Sequence, residues 1–208
     1  MAGAQSDFVT KDTQPQIPPF PAPSRGASAT GDKVPLCVDL DGTLVDTDCL
    51  WEGCMQMLFR DFRNFARIAC GFWRGRAWFK RQISQHSRFV AGALPFNSKV
   101  IALITTEKAA GRQVLLVTAS DQSIADSVAA HLKLFDAVIG SDGVTNLRGR
   151  AKAALLVEKF GRGGFDYAGN SVADIPVWKA ARHAYVVRPS LAVKFWLSGR
   201  QSDTTILE

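Results

Sequence analysis

Apolar residues follow two alternating patterns along this chain. Short unbroken runs occupy Leu36–Asp39, Val114–Val117, Ala137–Gly140, Tyr167–Gly169 and Ala184–Val187, each closed by small or polar residues. Runs of this length that are apolar on both faces predict strands of a parallel sheet covered on both sides. Between them, apolar positions recur at helical spacing and predict helices over about Gln122–Leu134, Ala151–Phe160 and Pro176–Arg182. Strands alternating with helices predict an α/β protein, a three-layer sandwich around a parallel, Rossmann-like sheet. No internal repeat interrupts the pattern.

The pattern changes between Asp46 and about Pro95. No short apolar run occurs there, and Met55, Leu58, Phe59, Phe62, Ala66, Ala69 and Trp73 recur along one predicted helical face. Arg60, Asn64, Arg67 and Arg74 fall largely on the other face. From Arg60 to Arg88 the basic residues face a single acid, Asp61, a density that excludes a transmembrane helix. Residues 47–95 are therefore expected to form a helical insertion, with residues 33–46 and 96–208 as the core. Two roles suit the insertion: a helical cap packing its aromatic stripe on itself or the core, or a surface that meets anionic lipid. Nucleic acid is not expected as a partner, because no nucleic-acid motif accompanies the charge. Residues 1–32, rich in proline and small polar residues, are expected to be a disordered tail.

Composition adds limits. The 208-residue chain carries a formal net charge of +6, which favours anionic partners. Its four cysteines, Cys37, Cys49, Cys54 and Cys70, lack CxxC spacing and read as reduced thiols. The N-terminal residues do not form a basic region followed by an apolar one, so a cytoplasmic protein is expected, placed at most peripherally at the inner face of the membrane.

Four segments carry candidate chemistry. In Asp39-Leu40-Asp41-Gly42-Thr43, two carboxylates end the first strand, where ligands of parallel sheets bind, and Gly42 lets the backbone turn away. Extended alternation sends Asp39 and Asp41 to the same side, and two close carboxylates imply a divalent cation. The second strand ends in Thr118-Ala119-Ser120 before a helix, where a hydroxyl and free backbone N–H groups can hold phosphoryl oxygens. Lys152 falls in the first turn of a predicted helix, a position that suits a lysine better if it faces an anion. Asn170 and Asp174, beyond the fourth run, can complete a metal site.

Taken together, the DLDGT segment, the TAS loop, Lys152 and the GNSVAD segment resemble the four motifs of the haloacid dehalogenase superfamily of phosphohydrolases over about Val34–Pro189. Within it, LCVDLDGTL, SDGVTNLRGRAK and FDYAGNSVADIPVWKAAR look most like the phosphatase-like domain associated with UbiA-type polyprenyl transferases. The resemblance implies that the insertion is a C1-type cap and that the protein is a Mg²⁺-dependent phosphatase acting on a small phosphorylated molecule. It also implies specific roles: Asp39 as nucleophile through an aspartyl-phosphate, Asp41 as general acid and base, and Thr118, Ala119 and Lys152 as phosphate ligands. Mg²⁺ would rest on Asp39, Asp41, Asn170 and Asp174. Many relatives carry Asp where this chain has Asn170, so metal binding is the point of departure. A prenyl-lipid or phosphosugar substrate, and a separate prenyl transferase as partner, follow from the same resemblance and from the aromatic, basic insertion. The competing expectation is a non-catalytic accessory module that binds such a transferase or an anionic lipid surface.

Overall fold

A computed structural model of the chain describes residues 33–86, 90–142, 144–198 and 203–208. The expected proline-rich tail lies outside the described residues. Six strands form one sheet: β1 (Leu36–Val38), β2 (Val114–Asp121), β3 (Ala137–Ser141), β4 (Asp166–Gly169), β5 (Ala184–Val187) and β6 (Thr204–Leu207). Their order is β3-β2-β1-β4-β5-β6, and every neighbouring pair is parallel. The α/β sandwich expected from the apolar runs is the fold observed.

β1 sits at the centre because its three residues are apolar and wholly buried. Leu36 pairs with Val114 on one side and Asp166 on the other. The chain builds outward from β1 to β2 and β3, then returns to place β4 on the opposite flank. That reversal opens a crevice beyond the carboxyl end of β1, the usual ligand position in such sheets.

Alternation divides the sheet residues between two layers. Leu36, Val38, Val114, Leu116 and Ala168 share a core with Val100 and Ile104 of α4 (Ser98–Ala109) and with Ile124 and Val128 of α5 (Gln122–Leu132). α6 (Arg150–Phe160) and the one-turn α7 (Ile175–Trp178) pack against β2 and β4. Trp178 stacks on Trp196 of α8 (Leu191–Leu197), with ring centroids 5.6 Å apart. α4, α8 and β6 were not anticipated from the sequence. α4 follows directly on the expected insertion, its start fixed by the Asn97 side chain accepting from the N–H groups of Lys99 and Val100.

The inserted segment is not one long helix. Asp61 ends α1 (Cys49–Arg60) and caps α2 (Phe62–Cys70), and Gly71 and Gly75 precede α3 (Arg76–His86). These helices have their own small core of Met57, Ile68 and Ile83, with Phe65, Trp78 and Phe79 packed around it. The stripe read as a single packing face is thereby divided. Phe59, Phe62 and Trp73 are 83%, 64% and 84% exposed. Among the described residues, no helix is long and apolar enough to cross a membrane.

At the end of the sheet away from the crevice, Asp166 is buried between two arginines. Arg182 donates from Nε and Nη2 to its two oxygens at 2.9 and 2.7 Å, Arg112 pairs with it, and the His183 N–H donates at 3.1 Å. Burial alone would raise this carboxyl, but the two guanidinium groups outweigh it and hold the group below the usual carboxylate range. The folded-state pKa is depressed, so the stabilisation is present above the unfolded value and is lost as pH falls through the folded one. Asp166→Ala would leave the buried Arg112 with Glu107, at 3.2 Å, as its remaining carboxylate partner and is expected to cost about 1–3 kcal/mol. Thermal unfolding near neutral pH checks this, with the deficit relative to wild type shrinking in acid.

Candidate active site

Asp39 follows the last residue of β1 and lies at the floor of the crevice. Its Oδ1 accepts the Leu40 N–H at 2.9 Å and the Lys152 ammonium at 2.9 Å. Burial is the largest influence on this carboxyl and pushes it up to about 7, against the pull of Lys152; Asp174 and Asp41 push in the same direction as burial. Asp174 and Asp41 thus stand close enough to Asp39 to disfavour its charge, a crowding that a cation relieves.

Gly42 turns the chain with φ of 71°, and a Cβ there would lie 2.2 Å from the Asn170 amide nitrogen. This close approach brings the β1 and β4 loops together, and Thr43 donates to Asn170 Oδ1 at 3.4 Å. Asp41, two residues beyond Asp39, is fixed from two sides: the Cys49 N–H at the start of α1 donates at 2.8 Å, and Ser120 Oγ donates at 2.5 Å. One of its anchors thus belongs to the inserted helices and the other to β2.

Lys152 is 2% exposed and points inward from the first turn of α6. Besides Asp39 it donates to the Tyr167 hydroxyl at 2.6 Å and lies 3.9 Å from Asp174. Tyr167 donates in turn to Asp174 Oδ1 at 3.0 Å. Burial, Asp174 and Asp39 raise the Tyr167 hydroxyl well above its ordinary range, so it remains a neutral phenol. The other Asp174 oxygen accepts the N–H groups of Asn170 and Ser171 and the Ser171 hydroxyl, at 3.2, 3.0 and 3.0 Å. Both Asp174 oxygens are thus engaged in holding the loop that presents Asn170.

A cavity of about 570 Å³ joins these groups and is lined by Asp39, Asp41, Ala119, Lys152, Asn170 and Asp174. Six of the seven residues singled out from the sequence meet there. Thr118 is the exception. It is fully buried, and its hydroxyl accepts the Ser120 N–H at 3.0 Å, shaping the turn rather than lining the cavity. Ser120 takes the position on the wall.

Residues outside the expected motifs complete the lining. Lys80 of α3 reaches the Ala119 carbonyl at 2.7 Å, placing a cation from the inserted helices beside the β2 loop. Burial lowers the pKa of this lysine; Asp41, Asp48 and Asp39 oppose that fall, while Arg148 adds to it. Arg148 and Asn146 line the wall before α6, and the Asn146 Oδ1 atom is buried without a hydrogen-bond partner. Leu50, Phe72 and Phe79 form an apolar side, the two rings meeting edge to face at 5.2 Å and 78°. Lys80 was visible in the sequence only as one charge in a basic stretch, since no local spacing links α3 to β2.

Among the described residues, no cluster of three or more His, Cys, Asp or Glu side chains forms a metal-binding group. The donors facing the cavity are of another kind: the Asp39 carboxylate, the Asn170 amide oxygen and the backbone near Asp41. They are hard oxygen donors among crowded carboxylates, the chemistry that a small divalent cation such as Mg²⁺ accepts.

A parallel sheet whose central strand delivers two carboxylates to a crevice, faced by a buried lysine, defines a class of α/β hydrolases. The chain belongs to the haloacid dehalogenase-like hydrolase family, whose model matches residues 36–179. It is 41% identical over 155 residues to "Uncharacterized protein y4nM" of Sinorhizobium fredii (strain NBRC 101917 / NGR234), covering 74% of this chain and 30% of that protein. The chain thus spans less than a third of that relative's length. Among solved structures, a Bordetella pertussis Tohama I protein of unknown function aligns with a TM-score of 0.64 at 16% identity, covering 85% of this chain and 98% of the other. A phosphoserine phosphatase described as a phospho-aspartyl intermediate analogue aligns at 0.57 and 15% identity, covering 85% and 94%. These two likenesses are likenesses of fold.

Proposed function

We propose that the chain is a phosphatase that hydrolyses a phosphomonoester through a covalent phosphate on Asp39. The observation that carries this reading is the Asp39–Lys152–Tyr167–Asp174 chain at the cavity floor. A carboxylate held against a buried ammonium is oriented for attack, and the same ammonium stands ready for the charge that builds on the phosphoryl oxygens. Family membership supports it, as does the fold shared with the phosphoserine phosphatase captured as a phospho-aspartyl intermediate analogue.

In this reading the Asp39 oxygen attacks phosphorus and the ester oxygen leaves. Asp41, kept in place by Cys49 and Ser120, donates the proton that the leaving oxygen takes, then removes a proton from the water that cleaves the acyl phosphate. The Ala119–Ser120 turn and Lys152 bind the phosphoryl oxygens, with Thr118 shaping the turn beneath them. Asp39, the Asp41 carbonyl and Asn170 would hold Mg²⁺, with Asp174 fixing the loop. When bound, the cation supplies charge neutralisation between the phosphoryl group and the acid pair. The inserted helices act as a cap, closing the cavity with Lys80, Phe72 and Phe79. A substrate with both charge and apolar surface fits that wall, as a prenyl-linked phosphate or a phosphosugar would.

A panel of phosphomonoesters, starting from an aryl phosphate and including phosphosugars and phospholipids, tests the reading. Phosphate release that requires Mg²⁺ is expected; no release from any member at any Mg²⁺ concentration would leave the non-catalytic accessory reading standing. Asn170→Asp adds a negative charge to the donor set, and isothermal titration should show tighter Mg²⁺ binding by roughly tenfold. Equal affinity in the two proteins would place residue 170 outside the metal's shell.

A further inference from the structure

The outer surface of the inserted helices is unexplained by hydrolysis. α2 turns Ile68 inward and presents Arg63, Arg67 and Cys70 outward, one face of a helix at spacings of four and three. Exposed aromatics stand at both of its ends: Phe59 and Phe62 around the Asp61 turn, Trp73 beyond Gly71. Among the described residues, neither Arg63 nor Arg67 has a carboxylate within 4.0 Å, in contrast to Arg112, Arg182 and Arg188. The sequence holds no Asp or Glu between Asp61 and Glu107.

We infer that this α2 face is a docking surface for an anionic lipid bilayer, with Phe59, Phe62 and Trp73 at the headgroup boundary and Arg63 and Arg67 on lipid phosphates. Charge complementarity selects this occupant. Large rings beside guanidinium groups that hold no salt bridge, with Asp61 as the single acid from Phe59 to Trp73 and occupied in capping α2, match a surface that offers negative headgroups over a shallow apolar layer. A protein partner with its own polar mosaic would be matched by charges of both signs.

The surface also meets the cavity. Phe72, next to Trp73 in the chain, is 51% exposed and lines the cavity wall as well. Docking through α2 would therefore bring the cavity mouth to the bilayer, and the substrate class becomes a phosphomonoester whose apolar part resides in the membrane. That last step rests on the phosphatase reading; the docking surface does not.

The test uses the full chain with vesicles of phosphatidylcholine alone and of phosphatidylcholine with phosphatidylglycerol in equal parts, read by co-sedimentation. Binding is expected to the anionic vesicles only, and to weaken as salt is raised. The pairs Phe59→Ala with Trp73→Ala, and Arg63→Glu with Arg67→Glu, should each weaken it by roughly tenfold or more. None of the four residues lines the cavity, so far-UV circular dichroism and aryl phosphate turnover in solution should match wild type and show that the variants are folded. Absence of binding to anionic vesicles, equal binding to both compositions, or undiminished binding by both variants would overturn the proposal. Vesicle binding without any phosphate release would instead overturn the phosphatase reading and leave the docking surface intact.

Discussion

Asp39→Asn is expected to lower phosphate release by roughly 10⁴-fold or more while the protein stays folded. The amide keeps the shape of the carboxyl and can still accept from the Leu40 N–H and from Lys152, but it cannot form an acyl phosphate. Stability should be little changed for a reason particular to this site. Burial already disfavours the ionised form of Asp39, so a neutral group in its place removes a desolvated charge as well as an attraction to Lys152. Thermal midpoints within a few degrees of each other, together with the collapse in turnover, would assign Asp39 to chemistry rather than folding. Turnover near the wild-type level would remove it from the mechanism.

Lys152→Met is expected to act on both properties. Turnover should fall by about 10²–10³, the usual consequence of removing one group that stabilises transition-state charge. Stability should fall by about 3–5 kcal/mol, because Asp39 and Asp174 would face each other without the cation between them. The two effects separate in a double variant. Adding Asp39→Asn to Lys152→Met removes one of the stranded charges, so the midpoint should recover while turnover remains lost. A double variant no more stable than Lys152→Met alone would show that packing of the lysine stem, not its charge, holds this part of the core.

The sheet was legible because its strands are apolar on both faces. Leu36-Cys37-Val38 and Val114–Val117 lie in β1 and β2, and Ala184–Val187 coincides with β5. β6 was not legible, since Thr204 and Thr205 break the apolar run and the strand is paired along one edge. At the site, Asp39, Asp41 and Lys152 could be found because strand-end acids and a lysine at a helix start each have a local reason to be noticed. Tyr167 could not. It reads as one more core residue of β4, and only the fold shows its hydroxyl joining Lys152 to Asp174. The inserted helices misled for a related reason: helical spacing finds an aromatic stripe, but Asp61, Gly71 and Gly75 divide the helix and rotate its parts. Rings expected to pack together consequently face outward, while Met57, Ile68 and Ile83 form the local core.

A covalent phosphate at Asp39 is the central claim. Acid-quenching the protein during Mg²⁺-supported turnover of a phosphomonoester radiolabelled on phosphorus, then mapping its peptides, tests this most directly. Label is predicted on the peptide that contains Asp39, absent from Asp39→Asn and released by hydroxylamine as expected of an acyl phosphate. Label on another residue, or steady turnover with none bound to the protein, would contradict it.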